Sequence, residues 1–313
     1  MKTQKLLCVG LNPAVDRRIR LPQIELGQVN RASSAVAAAG GKAAHVAFAA
    51  RALGTEVRWL GFLGGPEGEM CRTGMVERGV TPISIAIHDH TRTNLELIDE
   101  AIGTVTEVLE PGPVITAEEA GNFQEEFERQ VQECSLVVAS GSLPRGLPLS
   151  FYATLVKIAK DAGCRMLVDT SGGALGNVIA ARPALIKPNR QEAEALLSRK
   201  IETLCESVTA ADELRGRGAE TVIISLGARG AVLVSERALH GKAPERNVLS
   251  AVGSGDSFLA GWAVGSLRGL DDAECLRLAI ACGTANCLAD APGNISPDEV
   301  ECLSREIEIN ALP

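Results

Sequence analysis

Short β-branched or leucine-rich runs alternate with longer stretches of helical period along this chain. Leu6–Gly10, Val57–Phe62, Leu136–Ala139, Arg165–Asp169, Ala184–Ile186 and Thr221–Ser225 have strand length and little polar alternation, as strands covered on both faces do. Between the first two, Val46, Ala49, Ala50 and Leu53 stand at i, i+3, i+4 and i+7, one face of a helix that stops at Gly54. Phe151–Ala162 and Glu192–Leu197 carry similar helical patterns. The alternation predicts an α/β fold, a mostly parallel central sheet with helices on both faces. Ligands of such sheets sit beyond the carboxyl ends of the strands.

Two regions break the alternation. Arg17–Leu21 with Val29–Ala37, and Ile83–Ile87 with Asn94–Ile98 and Thr104–Leu109, are short strand patterns without intervening helices. Thr104-Val105-Thr106-Glu107-Val108 alternates with period two, the pattern of a sheet with one wet face. These excursions, about residues 12–38 and 83–110, predict a small antiparallel sheet standing off the body as a lid. Its edges offer a place for a second copy to pair as a homodimer. With no internal repeat or low-complexity tract, residues 1–313 read as a single domain.

Composition narrows the chemistry. The 31 Lys and Arg against 39 Asp and Glu give a net charge of −8, and aromatics are only 3%. Neither a basic surface nor a stacking platform for nucleic acid is indicated, nor an attraction to anionic membranes. Nine scattered cysteines without a C-x-x-C pair read as reduced thiols, mostly small buried hydrophobes. No apolar run approaches a membrane span and the start lacks a signal-peptide pattern, so a cytoplasmic protein is expected.

The strongest chemical signal is Ala251-Val252-Gly253-Ser254-Gly255-Asp256-Ser257-Phe258, two glycines and an aspartate opening a helical pattern. Glycines let the backbone turn tightly and expose N–H groups at the positive end of a helix, a site for a phosphoryl group. An aspartate there can take a proton from an attacking hydroxyl while amides stabilise phosphoryl charge. A Ser- or Asp-capped structural helix has the same look. Gly40-Gly41-Lys42 opens the first clear helix and adds a cation at its start, although glycine pairs before helices are common.

Together these segments resemble the PfkB-type carbohydrate kinases of the ribokinase-like superfamily, in the branch of 1-phosphofructokinases and tagatose-6-phosphate kinases. The resemblance runs through Leu11-Asn12-Pro13-Ala14-Val15-Asp16, Val29-Asn30-Arg31, Gly40-Gly41-Lys42 and Thr91-Arg92-Thr93-Asn94. It continues in Ser140-Gly141-Ser142-Leu143-Pro144, Asp169-Thr170-Ser171-Gly172, Lys187-Pro188-Asn189-Arg190-Gln191-Glu192 and Ser225-Leu226-Gly227-Ala228-Arg229-Gly230, ending at Gly253–Asp256. It implies a three-layer ribokinase-like α/β/α fold with a β lid. It also implies ATP-dependent phosphorylation of a ketohexose phosphate, fructose 1-phosphate or tagatose 6-phosphate, with Mg²⁺.

In that family Asp256 is the catalytic base and the amides of Val252 to Asp256, with Gly253, Ser254 and Gly255 at the centre, form the anion hole. Asp16, Gly41 and Ser142 belong to the sugar subsite, and Lys42, Arg92 and Arg31 to its phosphate; a planar guanidinium suits that task. Asn189 and Glu192 organise the nucleotide phosphates and Mg²⁺, Glu192 through water, which suits an ion that keeps its waters. The same pair fits a capping box. Lys187 lies near the nucleotide phosphates, Ser225, Gly227 and Gly230 in a nucleotide-contacting turn, and Asn286 beside the adenine or, equally, as a structural helix residue.

Three departures stand out. Where the family usually has Gly-Gly-Lys-Gly-x-Asn, this chain has Ala43 and His45, and since that Asn usually touches the sugar, His45 bears on which sugar phosphate fits. Ser254 replaces a usual Ala, and Arg145 after Pro144 brings a charge toward the mouth of the site. Other possibilities are a kinase for fructose 6-phosphate or for an unphosphorylated sugar or nucleoside, and a non-catalytic sugar-phosphate sensor. His88-Asp89-His90 is a poor metal pair because alternate strand residues face opposite ways. Walker, protein-kinase and dinucleotide-binding signatures are missing from the sequence.

Overall fold

The computed structural model describes residues 5–312. Strand β1 (Lys5–Gly10) lies inside a ten-stranded sheet, flanked on one side by β4 (Glu56–Leu63) and β5 (Thr81–Ala86). On its other side come β8 (Leu136–Ser140), β9 (Arg165–Asp169), β10 (Leu185–Ile186) and β11 (Thr221–Ser225), all parallel to it. Beyond β11 the sheet turns antiparallel through β12 (Ala231–Val234), β13 (Ala238–Gly241) and β14 (Ile309–Leu312). Both faces are covered, which is why the central strands read as unbroken apolar runs. In β1, Leu6 and Cys8 enter one core while Leu7 and Val9 enter the other.

The first core holds α1 (Lys42–Ala52), α2 (Gly65–Glu77), α8 (Ser254–Leu267), α9 (Asp272–Cys287) and α10 (Pro297–Glu306). The second holds α3 (Ala117–Val131), α4 (Phe151–Asp161), α5 (Gly172–Ala180), α6 (Arg190–Leu197) and α7 (Leu204–Gly216). This is the expected three-layer arrangement. Helix α8 is apolar on all sides and its fourteen residues are all buried or half-buried, so its axis runs through the core rather than over it. Small residues let its neighbours close in: a Cβ on Gly261 would stand 2.8 Å from the Cα of Ala279 in α9.

The lid is a separate four-stranded sheet, ordered β3 (Ser34–Gly40), β2 (Ala14–Leu21), β6 (Arg92–Asp99), β7 (Thr104–Leu109). Two expectations are corrected. The strand pattern at Ile83–Ile87 belongs to β5, the parallel edge of the main sheet, with Ile83 and Ile85 packed against the second core. The lid therefore comes from residues 14–40 and 92–109. It is also mixed rather than antiparallel: β2 and β3 pair antiparallel, as do β6 and β7, but β2 and β6 run parallel. The cause is topological, since β2 and β6 follow directly from β1 and β5, which point the same way. Among the described residues no helix is long and apolar enough to cross a membrane.

Candidate active site

A cavity of about 610 Å³ opens where the carboxyl ends of β1, β8, β9, β10 and β11 meet the lid and the starts of α1 and α8. Asp16, Gly41, Lys42, His45, Arg92, Ser142, Lys187, Asn189, Glu192, Ser225, Gly253, Ser254, Gly255 and Asp256 all line it. Residues spread over 240 positions of sequence thus converge at the switch between the central strands.

The start of α8 leaves backbone amides open to the cavity. Gly253 caps it at φ 77°, and a Cβ there would sit 2.5 Å from the Cβ of Pro292, so only glycine fits. No side chain caps the helix. The Val252 amide donates to Ser250 Oγ and that of Ser254 to Ala251 O, both at 3.2 Å. The expected hole over Val252 to Asp256 therefore narrows to Gly253, Gly255 and Asp256, whose amides have no acceptor among the described residues. Asn286 anchors this turn from behind: its Nδ2 donates to Val252 O at 2.8 Å, and its Oδ1 accepts from Gly293 N and Ser257 Oγ.

The start of α1 faces the same space. Gly41 caps it at φ 84°, again without a side-chain cap, and donates its own amide to Asp16 Oδ2 at 3.1 Å. Gly40 makes this approach possible, because a Cβ there would lie 1.9 Å from that oxygen. Asp16 Oδ1 accepts from Asn94 Nδ2 at 3.0 Å. Ala43, where the family has glycine, tucks into the core against Gly10, a neighbour without a side chain.

His45 departs from its expected role. Its Nε2 lies 2.9 Å from Asp16 Oδ2 and its Nδ1 3.1 Å from Asp256 Oδ2. Both ring nitrogens are engaged by carboxylates, so the imidazole has no polar atom left for a sugar. Burial alone disfavours its charge, but hydrogen bonds to Asp16 and Asp256 outweigh that and raise its pKa to about 10. Asp16 responds in kind: burial is overcome by His45, Gly41 and Asn94, and its carboxyl sits below the usual range. Among the described residues Asp256 Oδ1 has no protein partner, on a residue that lines the cavity.

Fixed cations occupy the rest of the wall. Arg92 donates to Glu110 O at 2.9 Å and Asn12 O at 3.1 Å, leaving its buried Nε unpartnered. Lys42 is held in its charged form mainly by Asp169, against the effect of burial, and further by Asp256 and Glu192. Lys187 pairs with Asp169 at 3.2 Å, and its Nζ would lie 3.4 Å from a Cβ on Gly255, beside the anion turn.

Asn189 and Glu192 form the capping box of α6, Oδ1 accepting from Glu192 N at 2.9 Å and Glu192 Oε2 from Asn189 N at 2.8 Å. Glu192 Oε1 remains for a water-borne ion. Among the described residues no cluster of three or more His, Cys, Asp or Glu could hold a metal outright, and a single free carboxylate oxygen is the kind of donor that meets Mg²⁺ through water.

Four expected site residues are not on the cavity wall. Arg31 lies exposed in the connection between β2 and β3. Gly227 and Gly230 shape the tight turn between β11 and β12, where a Cβ on Gly230 would fall 1.9 Å from Gly241 O. Asn286 is the buried clamp described above. Arg145 likewise forks onto Gly112 O rather than facing the mouth.

Conversely, Asn12, Asn94, Glu96, Glu107, Asp169 and Thr170 line the cavity without having been assigned roles. Glu96 is buried in the lid, bonded by Arg18 Nε at 2.7 Å, and Glu107 stands opposite it in register. Burial, then Glu96 and Asp16, raise the Glu107 pKa. The period-two pattern of β6 and β7 carried this signal, since Asn94, Glu96 and Glu107 share one lid face. Among the described residues, buried Asn12 Oδ1, Asn94 Oδ1, Ser140 Oγ and Thr170 Oγ1 find no protein partner, as expected of atoms that a polyhydroxylated ligand would satisfy.

Comparison with known proteins places the chain as a whole in a family. The model for "pfkB family carbohydrate kinase" matches residues 3–299. A tagatose-6-phosphate kinase of Staphylococcus epidermidis is 33% identical over 308 residues, 97% of this chain and 99% of that protein. A 1-phosphofructokinase of Xanthomonas campestris pv. campestris is 34% identical over 313 residues, 98% of each. The crystal structure of phosphofructokinase-2 from Escherichia coli in complex with potassium superposes with a TM-score of 0.90 at 29% identity, covering 98% of this chain and 99% of that one.

Proposed function

The chain belongs to the pfkB family of carbohydrate kinases, and on that premise we propose that it transfers the γ-phosphoryl of ATP to a primary hydroxyl of a ketohexose phosphate, fructose 1-phosphate or tagatose 6-phosphate, giving the bisphosphate. The observation that carries the reading is Asp256 beside three open amides at the start of α8, in one cavity with Lys42 and Arg92. Asp256 Oδ1 takes the hydroxyl proton as the oxygen attacks phosphorus in line. The Gly253, Gly255 and Asp256 amides hold the charge that builds on the equatorial oxygens.

Arg92, with its unpartnered Nε, and Lys42 receive the phosphate already on the sugar. Asp16, Asn94 and Ser142 read its hydroxyls. Lys187, Asn189 and Ser225 orient the nucleotide, and Glu192 would hold Mg²⁺ through water. When bound, Mg²⁺ offsets phosphate charge. The lid excludes water, which favours transfer to the sugar over hydrolysis.

Exposed Val36 and Leu109, on the lid face that also carries Asn94 and Glu96, support a second copy covering that face as a homodimer. A kinase assay across fructose 1-phosphate, tagatose 6-phosphate, fructose 6-phosphate and the free sugars tests the reading. Turnover confined to the first two phosphates is expected. Preference for a free sugar, or no sugar-dependent ATP consumption, would overturn it.

A further inference from the structure

We propose that His45 is a positioning residue of the transfer: as an imidazolium it ties the lid carboxylate that reads the sugar, Asp16, to the core carboxylate that takes its proton, Asp256. The inference rests on the kinase reading for its chemistry and on the geometry for its charge. A neutral imidazole has one N–H and could donate to only one neighbour, leaving a lone pair facing a carboxylate oxygen at about 3 Å. With both nitrogens against carboxylates, the doubly protonated ring is the form that satisfies every atom. The ring itself is buried, 9% exposed, and both contacts are direct.

Two consequences follow for the reaction. Asp256 is held by Oδ2, which fixes the carboxylate plane and leaves Oδ1 as the oxygen that meets the substrate hydroxyl. Asp16 sits on β2 of the lid, whereas His45 and Asp256 start α1 and α8 of the core. The imidazolium that orients the base is thus shared with the lid strand through Asp16, so reading the sugar and aligning its base are coupled. The family's usual Asn at this place could touch a sugar but carries no charge to set between two carboxylates.

Other charged groups surround the triad. Lys42 lies one turn earlier on α1 and feels Asp256, and Arg92 on β6 feels Asp16. Glu107 on β7 feels His45, Asp16 and Asp256. Cys71 on α2 is raised mainly by burial and also feels Asp16. None of them bridges the two carboxylates.

The test has two arms. In the first, the side-chain nitrogen resonances of His45 are recorded in the unliganded protein at about pH 8, above the ordinary histidine range, and assigned by loss in H45N. Two protonated ring nitrogens are expected; a single neutral tautomer would overturn the proposal. In the second, pH profiles of kcat and of kcat/KM for the sugar phosphate are compared between the wild type and H45N. The wild type should lose activity as pH rises toward 10, where the imidazolium gives up its proton. H45N should lack that limb and show kcat lowered by about tenfold or more, with KM for ATP unchanged. Superimposable profiles would overturn the positioning role. A chain that turns over none of the sugars would instead overturn the kinase reading, while the nitrogen resonances would still decide the charge.

Discussion

Helices α6 and α8 both point their N-termini at the cavity, yet they are finished in opposite ways. In α6, Asn189 and Glu192 close a capping box, so the amides of these two residues find acceptors within the helix itself. In α8 the cap is Gly253, in a left-handed conformation, with no side chain near enough to accept. The difference teaches where charge can be handled. A helix that caps itself is stable without ligand and offers a carboxylate through water. A helix left open keeps its amides and positive end for a phosphoryl group. The cost of that openness is met from behind, by Asn286 anchoring Val252, Gly293 and Ser257.

Three substitutions sharpen or break this contrast. Asp256→Asn should have the largest effect, lowering kcat about a hundred- to ten-thousandfold while ATP binding, measured by calorimetry, largely survives. Near-normal turnover would remove the base from α8. Gly253→Ala comes next. Its positive φ costs an L-residue about 1–2 kcal/mol, and the contact with Pro292 adds to that, so thermal unfolding should shift down and kcat fall with the displaced amides. Unchanged stability and rate would mean that the open turn is not strained.

Glu192→Gln should do least. Gln can serve in a capping box, so stability holds, while losing the free carboxylate oxygen raises the Mg²⁺ concentration needed for half-maximal rate about severalfold. A loss of turnover as deep as that of Asp256→Asn would erase the distinction between the two helices.

Much of this was legible in the chain. Apolar runs of strand length located the central strands because those strands are buried on both faces, and the glycine and aspartate at 253–256 marked the open helix start. Other features were not. The run at 83–87 looked like lid strand because a pleated, half-covered strand has the same pattern in either sheet. Strands β13 and β14, four residues each, carry too few positions for a pattern. Asn286 and Gly230 sit in segments that resemble binding motifs, but Asn286 turns inward to hold Val252 and Gly230 packs against the Gly241 carbonyl.

The order of residues alone decided the layered α/β class, the lid's existence and the open amides, because periodicity and glycine conformational freedom act over a few neighbours. Only the folded chain decided that Ser254's amide turns inward, that the Arg145 guanidinium holds Gly112, and that His45 stands between Asp16 and Asp256. The last two depend on contacts between positions 29, 33 and 211 apart in sequence. Hydrogen bonding and charge respond to separations of a few ångströms, which no local pattern encodes.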